Sequence, residues 1–550
     1  MDWLGARSAA VGVVALLLMS VTAGNARAAG QLSMTGFSPT SGPVGTVVTI
    51  TGSGFASRDV VTFNGTAAAS AKPHGGGSSL TASVPAFATS GPIMVTDPNT
   101  GQTVGLPGTA FRITTGLALS LSRVWPGERM TVAGSGLSPD SGGTLMLGNI
   151  FLADARTDGN GNFQEDVRLP WNTPPGRNQV TYLDANLGPI IHVVILNSSW
   201  PQGGANPQRT ANNLGETTLS TANVSKIKMR FDVPYTYPTA NFGSEPVVAG
   251  GMVYVAKGYA VEAYDALTGA LLWTYTTGDY IETTPAVSSG ILFVSSDDSD
   301  LYALGASDGH FIWRVPFNDL NSSPLVANGV VYFGTESGFF YALGAADGHF
   351  IWDYQATAPI RADPAIAKGI VYFGATDDSV YAVHASNGTL VWRTVLACAG
   401  GCEGVHGSVG VADGVVLVPV NHGDVFGLNA GTHATLWAPI GYAFAVAGGV
   451  AYINDSYDGL VRAVQLKTGN ELWDVICSQA GAPAYANGLL YLGCHAGSAG
   501  RELMAIDVTA GAAKEQYPLY VDLGPTVSGG TVYFTGRTNQ PEVHLYAVGV

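Results

Sequence analysis

The chain has 550 residues, of which 46% are apolar and 12% charged, with 73 glycines and a formal net charge of −16. That length exceeds one ordinary domain, and the scarcity of Lys and Arg leaves no basic surface for nucleic acid phosphates. Few charges and many glycines suit short strands and tight turns better than charged amphipathic helices, so an all-β architecture is predicted.

In chain order, residues 1–28 read as a secretory signal: Arg7 precedes an apolar stretch from Ala9 to Val21, followed by the small-residue site Ala26-Arg27-Ala28. Export with cleavage near Ala28 is expected. No other stretch reaches about 18 uninterrupted apolar residues, so no membrane span is expected in the mature chain. Residues 31–115 contain FSPTSGPVGTVVTITGSGF and VTFNG, then alternating strands up to Phe111-Arg112-Ile113. This resembles the IPT/TIG immunoglobulin-like module, with Pro39, Gly42, Gly45, Gly52, Gly54 and Phe55 in its usual places. A second stretch, VWPGERMTVAGSGL, repeats GPVGTVVTITGSGF at an offset of 82 and predicts a second Ig-like sandwich over residues 117–196. Inside it, Asp158-Gly159-Asn160-Gly161-Asn162 has the alternating oxygens of a calcium loop. The places an EF-hand fills with Gly and Glu hold Phe163 and Leu169, so a hairpin turn is predicted instead. Residues 197–225, rich in Gly, Pro and Asn as far as Asn213, read as a linker and lead-in.

From residue 226 onward the chain repeats itself. YALGASDGHFIW at 302–313 returns as YALGAADGHFIW at 341–352. The full unit is a Pro-led apolar run, a Gly turn, an aromatic-rich strand, a strand ending in Ala, a second Gly turn and a Trp strand. Ala and Trp stand ten positions apart in Ala263/Trp273, Ala303/Trp313, Ala342/Trp352, Ala382/Trp392 and Ala463/Trp473, and Gly427/Trp437 keeps the spacing. Two more units follow: Pro483 to Tyr517 has Glu515 in place of Trp, and Pro525 to Val550 stops after Ala547, before its last strand. Eight units of four short strands predict an eight-bladed propeller over residues 226–550, in which each blade covers the next and the six tryptophans are inter-blade plates. The segment Ile227 to Pro234 is expected to supply the missing strand and close the ring. The fold class is therefore all-β: two N-terminal Ig-like β-sandwiches followed by an eight-bladed β-propeller.

The four cysteines of an exported chain suggest two disulfides. Of the three possible pairings, Cys398 with Cys402 and Cys477 with Cys494 is favoured, and a zinc site lacks a second pair of comparable spacing. No metal site is predicted. Residues just before each innermost strand line one mouth of a propeller's axial channel. By register these are Ser244 and Glu245, Thr283 and Thr284, Ser322 and Ser323, Arg361 and Asp363, and His406. They form the candidate ligand funnel, in which Arg361 and Asp363 are expected to pair across one residue. No catalytic residue is predicted, because no Gly-x-Ser-x-Gly elbow, phosphate loop or His-Glu-x-x-His helix occurs. His310 and His349 recur with the repeat and read as structural.

The pattern Ala263-x-Asp265-x-x-Thr268-Gly269-x-x-x-Trp273, with its copies, resembles the tryptophan-docking motif of the pyrroloquinoline quinone (PQQ) family of eight-bladed propellers. Residues 198–227 are similar to the approach segment of that family's PQQ-like repeat proteins. The resemblance implies either a PQQ- and calcium-dependent dehydrogenase of alcohols or sugars, or a cofactor-free, BamB-like scaffold. The adjacent-cysteine pair of many such dehydrogenases is missing, no stretch carries the calcium ligands, and the blades lack long insertions. The leading expectation is a secreted, non-enzymatic binding or scaffold protein, extracellular or periplasmic, without a cofactor. It would present its propeller to a protein or polysaccharide at the cell surface. The alternatives are the dehydrogenase, and carbohydrate binding through the TIG module.

Overall fold

The computed structural model describes residues 31–171, 173–184, 186–235, 244–317, 319–320, 322–398, 401–421, 423–438, 441–455, 458–477, 481–495, 501–537 and 543–550. The expected signal segment, residues 1–28, lies outside the described residues. Regular structure is strand throughout, apart from a single 3-10 turn at Val224–Lys226 among the described residues. The chain divides into two compact units, residues 1–118, 133–141 and 157–163 in one, and 119–132, 142–156 and 164–550 in the other.

The first unit holds a sandwich. Its sheets are Ser33–Ser38, Val47–Ser53, Ser79–Ser83 and Ala71–His74 on one side, and Thr66–Ala67, Val60–Phe63, Ile93–Thr96 and Thr103–Gly105 on the other. In Val47–Ser53 the residues Val48 and Ile50 are buried while Val47, Thr49 and Thr51 face water, the period of two that packs one face of a strand. They meet Val61, Phe63, Ile93 and Val95 of the facing sheet in one core, where Phe63 and Phe111 pack edge to face at 5.5 Å.

The second unit contains a five-stranded sheet of the second sandwich, in the order Arg123–Val124, Gly188–Leu196, Gly176–Asp184, Gly142–Leu147 and Ile150–Arg156. The Asp158 segment joins Ile150–Arg156 to Phe163–Arg168, which belong to different sheets, so it is a connection between sheets and not the expected hairpin. The Asp158 carboxylate is already engaged there, accepting from the amides of Asn160 (2.9 Å) and Asn162 (2.8 Å). Trp125 donates its indole N–H to Ser528 Oγ of the propeller (3.0 Å), and Trp171 lies over Gly250 and Gly290, where an added Cβ would fall within 3 Å of its ring.

The rest of this unit is a ring of eight four-stranded antiparallel sheets. Blades 1 to 7 occupy residues 247–276, 286–316, 325–355, 365–395, 410–437, 443–476 and 484–520; blade 8 combines residues 526–549 with Lys228–Tyr235. The closing strand pairs antiparallel with Val543–Gly549, from Lys228 opposite Gly549 to Tyr235 opposite Val543. The innermost strand of blade 8, Thr526–Ser528, lies beside that of blade 1, Val247–Ala249, so the ring is closed.

Each tryptophan does the same thing in its blade. The indole N–H of Trp273, Trp313, Trp352, Trp392, Trp437 and Trp473 donates to the carbonyl of Ala306, Ala345, Ala385, Ala430, Leu466 and Val508 respectively, always in the following blade, at 2.7 to 3.2 Å. The ring then covers the turn between the third and fourth strands of that blade. A Cβ on Gly309, at φ +71°, would fall 2.6 Å from Trp273, and one on Gly388 would fall 2.5 Å from Trp352. Glycine is therefore required there twice over, for its positive φ and for the close approach. Blade 5 puts His433 at this position, at φ +52°, and stacks it on Trp392 instead, with centroids 5.7 Å apart. Phe231 of the closing strand stands opposite Ala547 as Trp273 stands opposite Ala263, and it covers Gly269 of blade 1. Both disulfides have the favoured pairing: Cys398–Cys402 closes a small loop after blade 4, and Cys477–Cys494 ties the end of blade 6 to the second strand of blade 7.

Three outcomes follow for the seam and the plates. Phe231→Ala should lower unfolding free energy by about 3 kcal/mol, the usual cost of deleting a buried phenyl ring, and deleting residues 226–234 should make the wheel open to protease at temperatures the intact chain withstands. Trp352→Phe should cost about 1 to 2 kcal/mol, the indole hydrogen bond to the Ala385 carbonyl together with the lost ring area, measured by denaturant titration.

Candidate functional site at the hub

The stretch Trp200–Asn213, expected to be a linker, instead runs around the axis and bonds to the innermost strand of every blade in turn. Trp200 exchanges backbone bonds with Val248 of blade 1 (2.7 and 2.8 Å). The carbonyls of Pro201, Pro207, Gln208, Thr210 and Ala211 accept from the amides of Val287, Ile366, Val411, Val446 and Tyr485, of blades 2, 4, 5, 6 and 7, at 2.6 to 2.9 Å. The Gln202 side chain accepts from the amide of Val326 of blade 3 (3.0 Å), and Asn213 donates through Nδ2 to the Val527 carbonyl of blade 8 (2.7 Å). In every blade but the sixth the partner is the middle residue of a three-residue innermost strand; in blade 6 it is Val446 of Ala443–Ala447. A segment outside regular sheets needs partners for its backbone, and eight inner edges supply them.

Arg209 projects from this thread into the hub, with its side chain 1% exposed. It donates to the carbonyls of Pro364 (2.6 Å), Ser323 (3.2 Å), Gly203 (3.3 Å) and Pro324 (3.5 Å) and to the carboxylate of Asp363 (3.3 Å). Asp363 also accepts from the Ser323 amide (2.6 Å) and from Ser408 Oγ (2.7 Å), and Ser323 Oγ accepts from the Thr284 amide (3.1 Å). Blades 2, 3, 4 and 5 are thus linked around the mouth through one buried ion pair.

The candidate residues divide accordingly. Glu245, Thr284, Ser323 and Asp363 belong to the mouth. Ser244, Thr283 and Ser322 sit one position further from the strand, and each side chain bonds backbone of its own blade: the Ala256 amide donates to Ser244 (2.9 Å), Thr283 donates to the Ser295 carbonyl (3.1 Å), and the Gly334 amide donates to Ser322 (2.7 Å). Arg361 does not pair with Asp363. It turns outward to a two-pronged ion pair with Glu336 (2.6 and 3.0 Å), because it stands two residues before Asp363 and the guanidinium of Arg209 already holds that carboxylate. His406 stands beside Gly404, away from the hub cavity, and Ser408 takes the mouth position in blade 5. Val409 stands there where most blades have proline, which hid the register. His310 and His349 are exposed and bonded to Asp308 and Asp347 of their own turns.

A cavity of about 90 Å³ opens above the thread, lined by Trp200, Arg209, Ala211, Glu245, Ser408, Tyr442, Phe444, Pro483 and Pro525 among others. Burial pushes the Glu245 carboxyl up to about 7, the Asp363 carboxylate pushes it the same way, and Arg209 opposes them. The residues do not fit a PQQ–calcium pair. Ligand pockets for molecules of that size measure roughly 300 to 1,000 Å³, the one cation, Arg209, is spent on carbonyls and Asp363, and no group of three or more His, Cys, Asp or Glu among the described residues could hold a metal ion. A larger groove of about 830 Å³ between blades 4 and 5 has Lys368, Lys467 and a single carboxylate, Asp413, too few oxygens for calcium.

Because a raised carboxyl must ionise at a cost in the folded protein, Glu245 detracts nothing below its unfolded value near 4.5 and detracts progressively as pH climbs to 7. Glu245→Gln should therefore gain stability over the parent between pH 4.5 and 7, by about 1 to 3 kcal/mol at the upper end, read from paired denaturant titrations; parallel curves would count against the burial described.

Two family models match the chain. One, described as outer membrane protein assembly factor BamB, matches residues 257–399, 299–439 and 378–540, more than half of the chain together, and the IPT/TIG domain matches residues 32–112. Among solved structures, a quinohemoprotein alcohol dehydrogenase from Comamonas testosteroni is similar at a TM-score of 0.54 and 14% identity, over 64% of this chain and 80% of that one. The quinohemoprotein alcohol dehydrogenase ADHIIG from Pseudomonas putida HK5 is similar at 0.53 and 15%, over the same shares. BamB from Moraxella catarrhalis gives 0.47 and 19%, over 58% of this chain and 99% of that one. No curated protein matches the sequence. At these identities the two dehydrogenase structures speak for the wheel alone, whereas the family models speak for the sequence: the chain belongs to the PQQ-like, BamB-type propeller family and carries a TIG domain in front of its wheel.

Proposed function

We propose that this is an exported, non-enzymatic binding protein whose wheel works without a redox cofactor and offers the mouth side of its hub to a protein partner, with the two sandwiches as spacer or adhesion modules. One observation carries the reading: the hub is occupied by the chain's own residues 200–213, bonded to all eight blades, and the space left is about 90 Å³. Family membership with a protein described as an assembly factor supports a protein partner over a small substrate. The two disulfides suit an oxidising compartment outside the cytoplasm.

The test is a titration of the mature protein with PQQ and Ca²⁺, followed by tryptophan fluorescence and by dye-linked oxidation of alcohols and aldoses. Neither a saturable signal nor turnover is expected. Dye reduction that requires both additives would establish the dehydrogenase instead.

A further inference from the structure

The hub has two acids and one base. Arg209 is matched by Asp363, and its remaining donors go to four main-chain carbonyls. Glu245, across the mouth on blade 1, is left with its carboxyl against Gly524, and among the described residues nothing bonds to it. The titratable and charged groups around it are Asp363, Arg209 and Tyr442. Even with Arg209 nearby, the site disfavours the second negative charge, so what it lacks is one positive charge of small size.

The walls fit that missing charge. Tyr442, Phe444 and Trp200 line the same cavity as Glu245, and aromatic faces attract a desolvated ammonium through their quadrupoles. Tyr442 is 41% exposed and stands at the rim, while Trp200 and Phe444 are buried at 2% and 7%. The volume of about 90 Å³ has room for a few waters, or for an ammonium head with the end of an alkyl stem. A guanidinium is a poorer match, since one carboxylate takes only two of its five donors. The approach is also acidic. Segments before the innermost strands bond to the turns between second and third strands, as where the Asp297 amide donates to the Tyr280 carbonyl (2.8 Å). That side of blades 1 and 2 carries Asp279, Glu282, Asp297 and Asp298, close enough that burial and the three neighbouring carboxylates push Asp297 up to about 6. Such a rim raises the local concentration of cations and speeds their arrival.

We propose that the hub cavity is a recognition pocket for a primary alkylammonium group, the lysine side chain of the protein partner, which inserts between Tyr442 and Phe444 and pairs with the Glu245 carboxylate. This rests on the binding function proposed above and adds the chemistry of its contact.

The test uses the full mature chain and three probes: n-butylammonium, a short lysine peptide with blocked ends, and the same peptide acetylated on Nζ. Calorimetry at pH 8 should register the first two and not the third. Because only ionised Glu245 pairs with the ligand, affinity should fall about tenfold or more from pH 8 to pH 5.5, with protons released on binding near pH 7. Glu245→Gln should weaken butylammonium at least tenfold with the pH dependence lost, and Tyr442→Leu should weaken it about threefold or more, while neither changes the fold by circular dichroism. Binding of butylammonium but not the peptide would assign the pocket to free amines and overturn the partner. Equal affinity for the acetylated peptide, an unchanged Glu245→Gln, or silence at pH 8 would overturn the pocket itself. The PQQ titration is scored separately, so a failed pocket and a failed binding function give different results.

Discussion

The structure depends on the docking of an indole across a blade boundary. A four-stranded sheet of about 30 residues is too small to bury either face by itself, and stacking is what hides its apolar side chains. Six tryptophans convert that general need into a register, since each must place its N–H on one carbonyl and its ring over one turn of the next blade. Dispersion and area favour the contact, while the hydrogen bond selects its position. The glycine beneath each ring is the complement: any side chain there would occupy the volume the plate fills. The two departures fit the same rule, for His433 adds its own ring to the stack on Trp392, and Phe231 serves where the ring of blades meets its own beginning.

The hub thread is a different kind of solution. Propellers leave the inner edges of their blades facing a channel that must hold water, ligand or chain. Here the chain fills it, and the same residues that satisfy eight inner edges also deliver Arg209 to the one place where a buried guanidinium is fully bonded. The thread therefore sets the electrostatics of the mouth. It fixes Asp363 as an ion-pair partner, moves Arg361 outward to Glu336, and leaves Glu245 as the unmatched acid.

The wheel was legible in the sequence because its forces repeat. Ala–Trp spacing, turn glycines and the missing last strand each leave a periodic or countable mark, and Ile227 to Pro234 could be assigned to the seam by elimination. The thread left no such mark, since its bonds are mostly main-chain and its Gly, Pro and Asn content is also that of a free linker. Arg209 and Trp200 were hidden with it. Along the mouth, register served where proline precedes the inner strand, at Glu245, Thr284, Ser323 and Asp363. It failed at blade 5, where Val409 interrupts the pattern and Ser408 went unseen two residues beyond His406. The outward turn of Arg361 could not be read at all, because it depends on which cation reaches Asp363 first in space.

The thread also imposes an order on biogenesis. Residues 200–213 leave the ribosome ahead of every strand they bond to, and their final partner, Val527, arrives more than three hundred residues later. During that interval each new blade supplies one more inner edge, so the lead gains its partners one at a time, and Arg209 lacks Asp363 until blade 4 has been made. Closure of the hub is thereby the last step of assembly, in which the first wheel segment to be made is the last to be fully satisfied.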